Sequence, residues 1–512
     1  MNKSPVLIVG AGVGGLTAAI SLAARGLEVE ILERAATPGG KLRQVMIGDH
    51  GIDAGPTVFT MRWVFDELCE LAGTTMETEL SLHPVETLAR HAWSAEQRLD
   101  LFTDLQRSAD AIAAFADDPT EGRRFLDFSA EAQKIYQALK DPFICSSRPK
   151  TPLTLIRRAG PTRLLGIKPY STLWSALGKH FRDPRLQQLF GRYATYCGSS
   201  PYRAPATLML VAHVEQEGVW LVKEGMYQLV QALVRIAERL GVRIHYATEV
   251  TEILGTRTAA NGVRLANGET LDASAVIVNA DPNALATGKL GETMAGAIAP
   301  TPRAERSLSA LTWNLLTPTA GFPLIRHSVF FSQDYASEFQ DIFDHHRLPQ
   351  SPTVYICAQD RTDTETNSPP GPERLLCLVN APPIGDQFTF RAEDIEQCTA
   401  ATFALLNHCG LEITPPAEAT CITSPSHLER LFPATGGALY GRASHGWLAS
   451  FVRPGARTKI PRLYLAGGST HPGPGVPMAA MSGRIAAASV LADLTSTKSS
   501  PRAAIFGGTS MP

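Results

Sequence analysis

Four consecutive apolar residues, Val6 to Val9, open the chain's hydrophobic pattern and predict a buried parallel strand. Gly10, Gly12 and Gly15 follow, then a helical run from Leu16 to Arg25, then a second short apolar strand, Val29 to Leu32. The same strand, turn and helix order returns near the other end. Leu463 to Ala466 read as a strand, Gly467 to Pro477 as an irregular Gly- and Pro-rich turn, and Met478 to Leu491 as a helix of small residues that invites close approach of a ligand or of neighbouring backbone. Between these ends, Met226, Leu229, Leu233, Ile236 and Leu240 fall at helical spacing and predict an amphipathic helix over Lys223 to Gly241. A strand near Arg243 to Tyr246 comes next. Val263 to Leu265 and Glu269 to Leu271 then flank Asn267-Gly268 as a hairpin, and Ala275 to Val278 form an apolar strand. Further strands are expected at Leu308 to Leu315, Thr353 to Ala358 and Leu375 to Val379. Their apolar alternation predicts a sheet with one covered face, either an ordinary core or the floor of a hydrophobic tunnel.

The N-terminal pattern carries chemistry. Gly10, Gly12 and Gly15 have the G-x-G-x-x-G spacing in which the first glycine permits a tight turn, the second lets backbone approach a pyrophosphate, and the third lets helix pack on strand. Glu33 ends the second strand twenty-one residues after Gly12, where a carboxylate accepts hydrogen bonds from ribose hydroxyls and repels a 2′-phosphate. Ser4 to Ala24 carry no charge, so hydropathy alone also fits a transmembrane span or secretory leader. The helix, second strand and terminal acid in register favour the dinucleotide reading.

Composition narrows the rest. At 512 residues, 44% hydrophobic and 19% charged, the chain can bury a large core in two or three domains. A formal net charge of −2 gives no global attraction to nucleic acid, which is not expected as a partner. Eight scattered cysteines without a C-x-x-C pair suit reduced thiols in a cytoplasm rather than a disulfide frame or a zinc site. His345 and His346 beside Asp344 lack metal-ligand spacing and read as surface loop, so no metal is expected. One local asymmetry stands out: from Arg148 to Arg203 there are eleven Lys and Arg against a single acid, Asp183. Interleaved with Leu153, Ile156, Leu164, Leu165 and Trp174, this stretch reads either as an interfacial segment drawn to anionic lipid or as a solvated helical face.

Four motifs together, GAGVGG (Gly10 to Gly15), PGGK (Pro38 to Lys41), DAGPTVF (Asp53 to Phe59) and GGSTHPGPGVP (Gly467 to Pro477), resemble the carotenoid desaturases of the bacterial phytoene desaturase type. These belong to the glutathione-reductase-like FAD superfamily. Within the group, DAGPTVFTMRWVFDELC and GGSTHPGPGVPMAAMSGR are most similar to the 1-hydroxycarotenoid 3,4-desaturases, also called methoxyneurosporene or hydroxyneurosporene dehydrogenases. The chain departs from the wider pattern at Lys41, where Arg is common, and at Gly468, where related flavoenzymes place Asp or Glu. Lysine offers a point charge in place of a planar fork.

The resemblance implies an α/β chain, α+β overall: a Rossmann FAD-binding domain with an inserted substrate domain of sheet and helices. The expected division is residues 1–85, 216–285 and 431–494 for FAD, 86–215 as a helical, basic, membrane-facing part, 286–430 as a sheet part, and 495–512 as a tail. It further implies FAD contacts from Gly10, Gly12, Gly14, Gly15, Glu33, Gly40, Lys41, Val250, Gly467, Gly468, Gly475 and Val476, with Val250 near the adenine. His471 is expected beside the flavin ring in a flavin-side or a structural role. The expected substrate is an acyclic carotenoid, with quinone or oxygen as electron acceptor, on a cytoplasmic protein held peripherally at the inner membrane. Phytoene desaturation is the nearest rival, and a flavin-free lipid-binding escort of the same fold the rival of another class.

Overall fold

In the computed structural model, which describes residues 4–149, 151–160, 166–364, 367 and 369–496, a five-stranded parallel sheet gathers three distant parts of the chain. Its strands are β1 (Val6–Val9), β2 (Val29–Leu32), β3 (Arg243–His245), β4 (Ala275–Val278) and β5 (Leu463–Leu465), in spatial order β3-β2-β1-β4-β5. Register pairs Val6 with Val29 and Ala275, and Val276 with Leu463. The three central strands are buried almost throughout, as their unbroken apolar runs require of a sheet covered on both faces. Helices α1 (Val13–Ala23), α2 (Tyr227–Arg239) and α3 (Val476–Ser496) share one core with it.

α1 begins at Val13, so Gly14 and Gly15 lie in its first turn, ahead of the start at Leu16 read from the apolar run. It crosses α3 at very short range: a Cβ on Gly483 would stand 2.2 Å from the Gly14 carbonyl oxygen. The small residues of α3 thus serve backbone-to-backbone packing, and the helix extends beyond both ends of the predicted Met478 to Leu491.

A second, seven-stranded sheet comprises Thr420–Thr423, Ser309–Thr317, Glu373–Ala381, Val354–Ala358, His327–Phe330, Thr87–Ala92 and Arg98–Phe102, in that spatial order. The last two strands come from the segment expected to be helical. They form a hairpin locked by Arg90, whose Nε and Nη2 reach the two Asp100 carboxylate oxygens at 2.8 and 2.7 Å. The expectation of one covered face also fails, because the central strands are buried on both. Leu311, Trp313, Leu315, Cys377 and Val379 point into a core that includes Leu406 and Cys409, beneath the helix Ala392–His408. The alternate positions, including Ala310, Thr312, Leu376, Leu378 and Asn380, face a cavity between the two sheets. Asp53 ties the sheets together. Its amide donates to Gln359 Oε1 (2.9 Å), its carbonyl accepts from Asn314 Nδ2 (3.0 Å), and its carboxylate accepts the Met226 amide (2.5 Å).

Candidate cofactor and substrate cavity

The carboxyl ends of all five parallel strands open on this cavity, the place where open α/β sheets hold their ligands. It measures about 710 Å³ and runs unbroken from Glu33, Thr248 and Val250 past the glycine turns to Tyr355, Leu376 and Leu378. Gly10, Gly12 and Gly14 line it after β1, Gly40 and Lys41 after β2, and Gly467, Gly468, Gly475 and Val476 after β5. Gly15 lies just behind the wall, where a Cβ would come within 2.2 Å of the Gly10 carbonyl oxygen, so this position serves packing.

Three turns meet at Asn279, the residue directly after β4. Cβ atoms on Gly12 and Gly14 would stand 2.7 and 2.8 Å from its side-chain oxygen and nitrogen, and one on Gly467 would stand 2.8 Å from that nitrogen. Asn279 Nδ2 donates to the Ala466 carbonyl at 3.0 Å, which fixes the second glycine turn against the first. The N-termini of α1 and α3 both reach the cavity, presenting first-turn amides that lack partners within their helices. At the far end of β2, Glu33 accepts the amides of Ala11 (2.7 Å) and Ala35 (2.8 Å), while its own amide and carbonyl bond to His245 and Thr248. The bare glycine backbone, the helix N-termini and Glu33 fit the pyrophosphate and ribose of a dinucleotide.

Two cations stand along the middle of the wall. Lys41 Nζ donates to the Leu439 carbonyl at 2.6 Å and lies over the Phe432 ring, and burial holds its pKa below the ordinary lysine value. Arg453 donates to the carbonyls of Tyr440 (2.9 Å), Arg442 (2.6 Å) and Gly468 (3.2 Å), and burial brings its pKa down to about 10. Gly468, which carries no carboxylate, is therefore held through its backbone by a distant arginine. Neither Arg453 nor Asn279 was singled out in the sequence; the signal for Asn279 was its place immediately after a buried apolar strand.

His471 was expected in a flavin-side or a structural role, and its surroundings are those of a structural group. Pro472 and Gly473 line the cavity, but the His471 ring is turned away, 1% exposed, with Nε2 2.9 Å from the carbonyl oxygens of both Phe143 and Ser146. Burial lowers its pKa to about 4, so it is a neutral clamp at neutral pH.

At the cavity's outer end, Leu155, Ile167, Trp447 and Phe451 line the wall. Around them lies an exposed apolar rim: Leu153 and Ile156 on the helix Pro152–Ala159, Tyr170 with its ring 5.4 Å from that of Trp447, and Leu448 and Val452. The basic stretch does not form one patch. Arg185 pairs with Asp183, Lys168 with Glu131, Arg203 with Asp344, and Arg192 turns into the cavity, while Arg157, Arg158, Lys179 and Arg182 stay exposed. Lys150, Arg163, Leu164 and Leu165 lie outside the described residues. Among the described residues no helix is long and apolar enough to cross a membrane.

The family model for flavin containing amine oxidoreductases matches residues 13–491. Hydroxyneurosporene desaturase of Rubrivivax gelatinosus is 54% identical over 99% of this chain and 96% of its own, and that of Cereibacter sphaeroides 43% identical over 96% and 98%. Among solved structures, putrescine oxidase bound to putrescine superposes with a TM-score of 0.58 at 16% identity, covering 96% of this chain and 99% of its own. Cyclohexylamine oxidase of Brevibacterium oxydans gives 0.54 at the same identity, over 96% and 100%. These two show the shared fold. The chain belongs to the flavin containing amine oxidoreductase family, on the branch that carries the hydroxyneurosporene desaturases.

Proposed function

We propose that this protein is an FAD-dependent desaturase that inserts the 3,4 carbon–carbon double bond into acyclic 1-hydroxy or 1-methoxy carotenoids. The observation that carries the reading is one continuous cavity, dinucleotide-like at one end, sheet-floored and apolar beyond it, and rimmed at its mouth by exposed apolar side chains. The close relatives named for the same reaction class support it.

In this reading residues 1–85, 216–285 and 431–494 hold FAD, with Gly10, Gly12 and Gly14 and the N-terminus of α1 on the pyrophosphate, Glu33 on the ribose, and Val250 by the adenine. Gly40, Lys41, Gly467, Gly468, Gly475 and Val476 flank the rest of the cofactor, and Gly15 packs behind it. Bound FAD supplies the hydride acceptor for removal of two hydrogens beside a polyene. The protein's part is position: Ala310, Leu376 and Leu378 form a floor against which an apolar chain lies. Segments 86–215 and 286–430 build that substrate side. The apolar rim rests on the cytoplasmic face of the inner membrane, where substrate enters from the bilayer and electrons leave to a quinone or to oxygen.

Supplying flavin-loaded protein in parallel with 1-hydroxyneurosporene and phytoene tests the substrate assignment. A longer chromophore from the hydroxylated substrate alone supports it. Conversion of phytoene instead moves the protein to the earlier desaturation step, and conversion of neither overturns both.

A further inference from the structure

Arg192 is a cation in the cavity wall with no carboxylate within ion-pair distance among the described residues. It lines the cavity on the substrate side, and its one side-chain hydrogen bond among those residues runs from Nη1 to Tyr196 Oη at 2.8 Å. Its guanidinium lies over the Tyr196 and Tyr355 rings at 5.1 and 5.3 Å. The two carboxylates in its neighbourhood are engaged elsewhere. Glu215 accepts the Tyr193 hydroxyl at 2.6 Å, and Glu338 accepts Asn380 Nδ2 at 2.8 Å and the Thr353 amide at 3.0 Å. Tyr335, which also lines the cavity, has a buried hydroxyl with no hydrogen-bond partner among the described residues. Two stacked rings offset part of the cost of burying a guanidinium. A buried phenol hydroxyl without a partner still costs free energy.

A ligand oxygen would complete this corner. Guanidinium and phenol both donate, so the matching group is a neutral acceptor on an otherwise apolar molecule, such as a tertiary alcohol or its methyl ether. A carboxylate ligand fits less well, because the carboxyl groups of Glu215 and Glu338 already stand nearby and burial raises the pKa of both. Tyr355 belongs to the second sheet and is held by Thr57 (2.6 Å) and by His327 (2.8 Å), so the stacking face is rigid.

We infer that Arg192 and Tyr335 are specificity-determining residues that hydrogen-bond the end-group oxygen of the carotenoid substrate. This rests on the proposed desaturase activity and deepens it by naming what tells an oxygenated polyene from a hydrocarbon one.

The test uses flavin-loaded wild type, Arg192→Met, Arg192→Lys and Tyr335→Phe, with 1-hydroxyneurosporene as substrate and neurosporene as competing ligand. In the wild type, turnover of the hydroxylated polyene checks the underlying activity by itself. Arg192→Met is expected to raise KM for that substrate about ten- to a hundredfold, with kcat, flavin content and flavin reduction potential kept, and with neurosporene inhibition unchanged or stronger. Arg192→Lys keeps part of the preference, and Tyr335→Phe loses less than Arg192→Met. Equal weakening of both polyenes would overturn the inference, as would a shifted flavin potential with unchanged KM, which would assign Arg192 to the cofactor. If Arg192→Met holds no flavin, Tyr335→Phe decides: an unchanged preference between the two polyenes overturns the inference.

Discussion

Glu33 closes the second strand of the parallel sheet and accepts the Ala11 amide at 2.7 Å, inside the glycine turn that follows the first. The residue that reads as the ribose acceptor therefore also fixes the shape of the phosphate turn. Its second oxygen takes the Ala35 amide at 2.8 Å, which orients the carboxylate along the cavity wall. Glu33→Ala removes both anchors and any ribose contact. It is expected to weaken FAD binding by about 2–3 kcal/mol, thirty- to a hundredfold or more, with Glu33→Gln retaining part of the affinity. Titration of apoprotein followed by flavin fluorescence measures this, and unchanged affinity in Glu33→Ala would remove Glu33 from the cofactor site.

The crossing of α1 and α3 depends on Gly483. A side chain there meets the Gly14 carbonyl oxygen at 2.2 Å, and neither helix can retreat without moving a glycine turn. Gly483→Val is expected to destabilise the holoprotein by about 1–3 kcal/mol and to loosen flavin. Thermal unfolding followed by flavin release reads both effects, and an unchanged Tm would show that the helices separate freely.

His471 gives a pH signature. Its pKa is about 4 in the fold, lowered first by burial, with Arg148 and Arg453 adding positive charge, against about 6.5 in the unfolded chain. The unfolded state therefore binds the extra proton, and stability falls as pH drops from about 6.5 to 4. His471→Gln keeps a donor for one of the two carbonyls and loses the titration. Denaturant midpoints across this window should fall less steeply in the variant, and parallel slopes would assign the acid sensitivity to other buried histidines such as His91, His327 and His445.

The mouth of the cavity predicts membrane binding driven more by apolar area than by charge. Glu131 and Asp344, distant in sequence, and the local Asp183 pair with three of the basic residues between Arg148 and Arg203, whereas Leu153, Ile156, Trp447 and Leu448 stay 38–56% exposed. Changing these four to Ser should reduce flotation with anionic vesicles at least tenfold, while raised salt weakens the wild type only modestly. Full release of the wild type by salt would return the surface to a purely electrostatic one.

What the sequence revealed follows from the reach of each signal. Strands β1, β2 and β4 fall on their predicted residues because a continuous apolar run between glycine turns has few other solutions. The hairpin at Asn267-Gly268 forms for the same local reason. In the second sheet the apolar alternation carries no mark of what the other face meets, and there Thr312, Asn314 and Asn380 face the cavity or bind Asp53 and Glu338. Arg192 and Arg453 were hidden for a related reason. A run of basic residues carries no mark of which member faces inward, and only the partners contributed by remote segments decide it.

The central claim is that carotenoid oxidation and flavin reduction are one event. Mixing flavin-loaded protein with 1-hydroxyneurosporene in the absence of oxygen and quinone, and following the flavin's visible band together with the polyene spectrum, tests this most directly. Loss of the flavin band is expected at the rate at which the longer chromophore appears, with one new double bond per flavin and no second turnover until an acceptor is added. Chromophore lengthening while the flavin stays oxidised would contradict it.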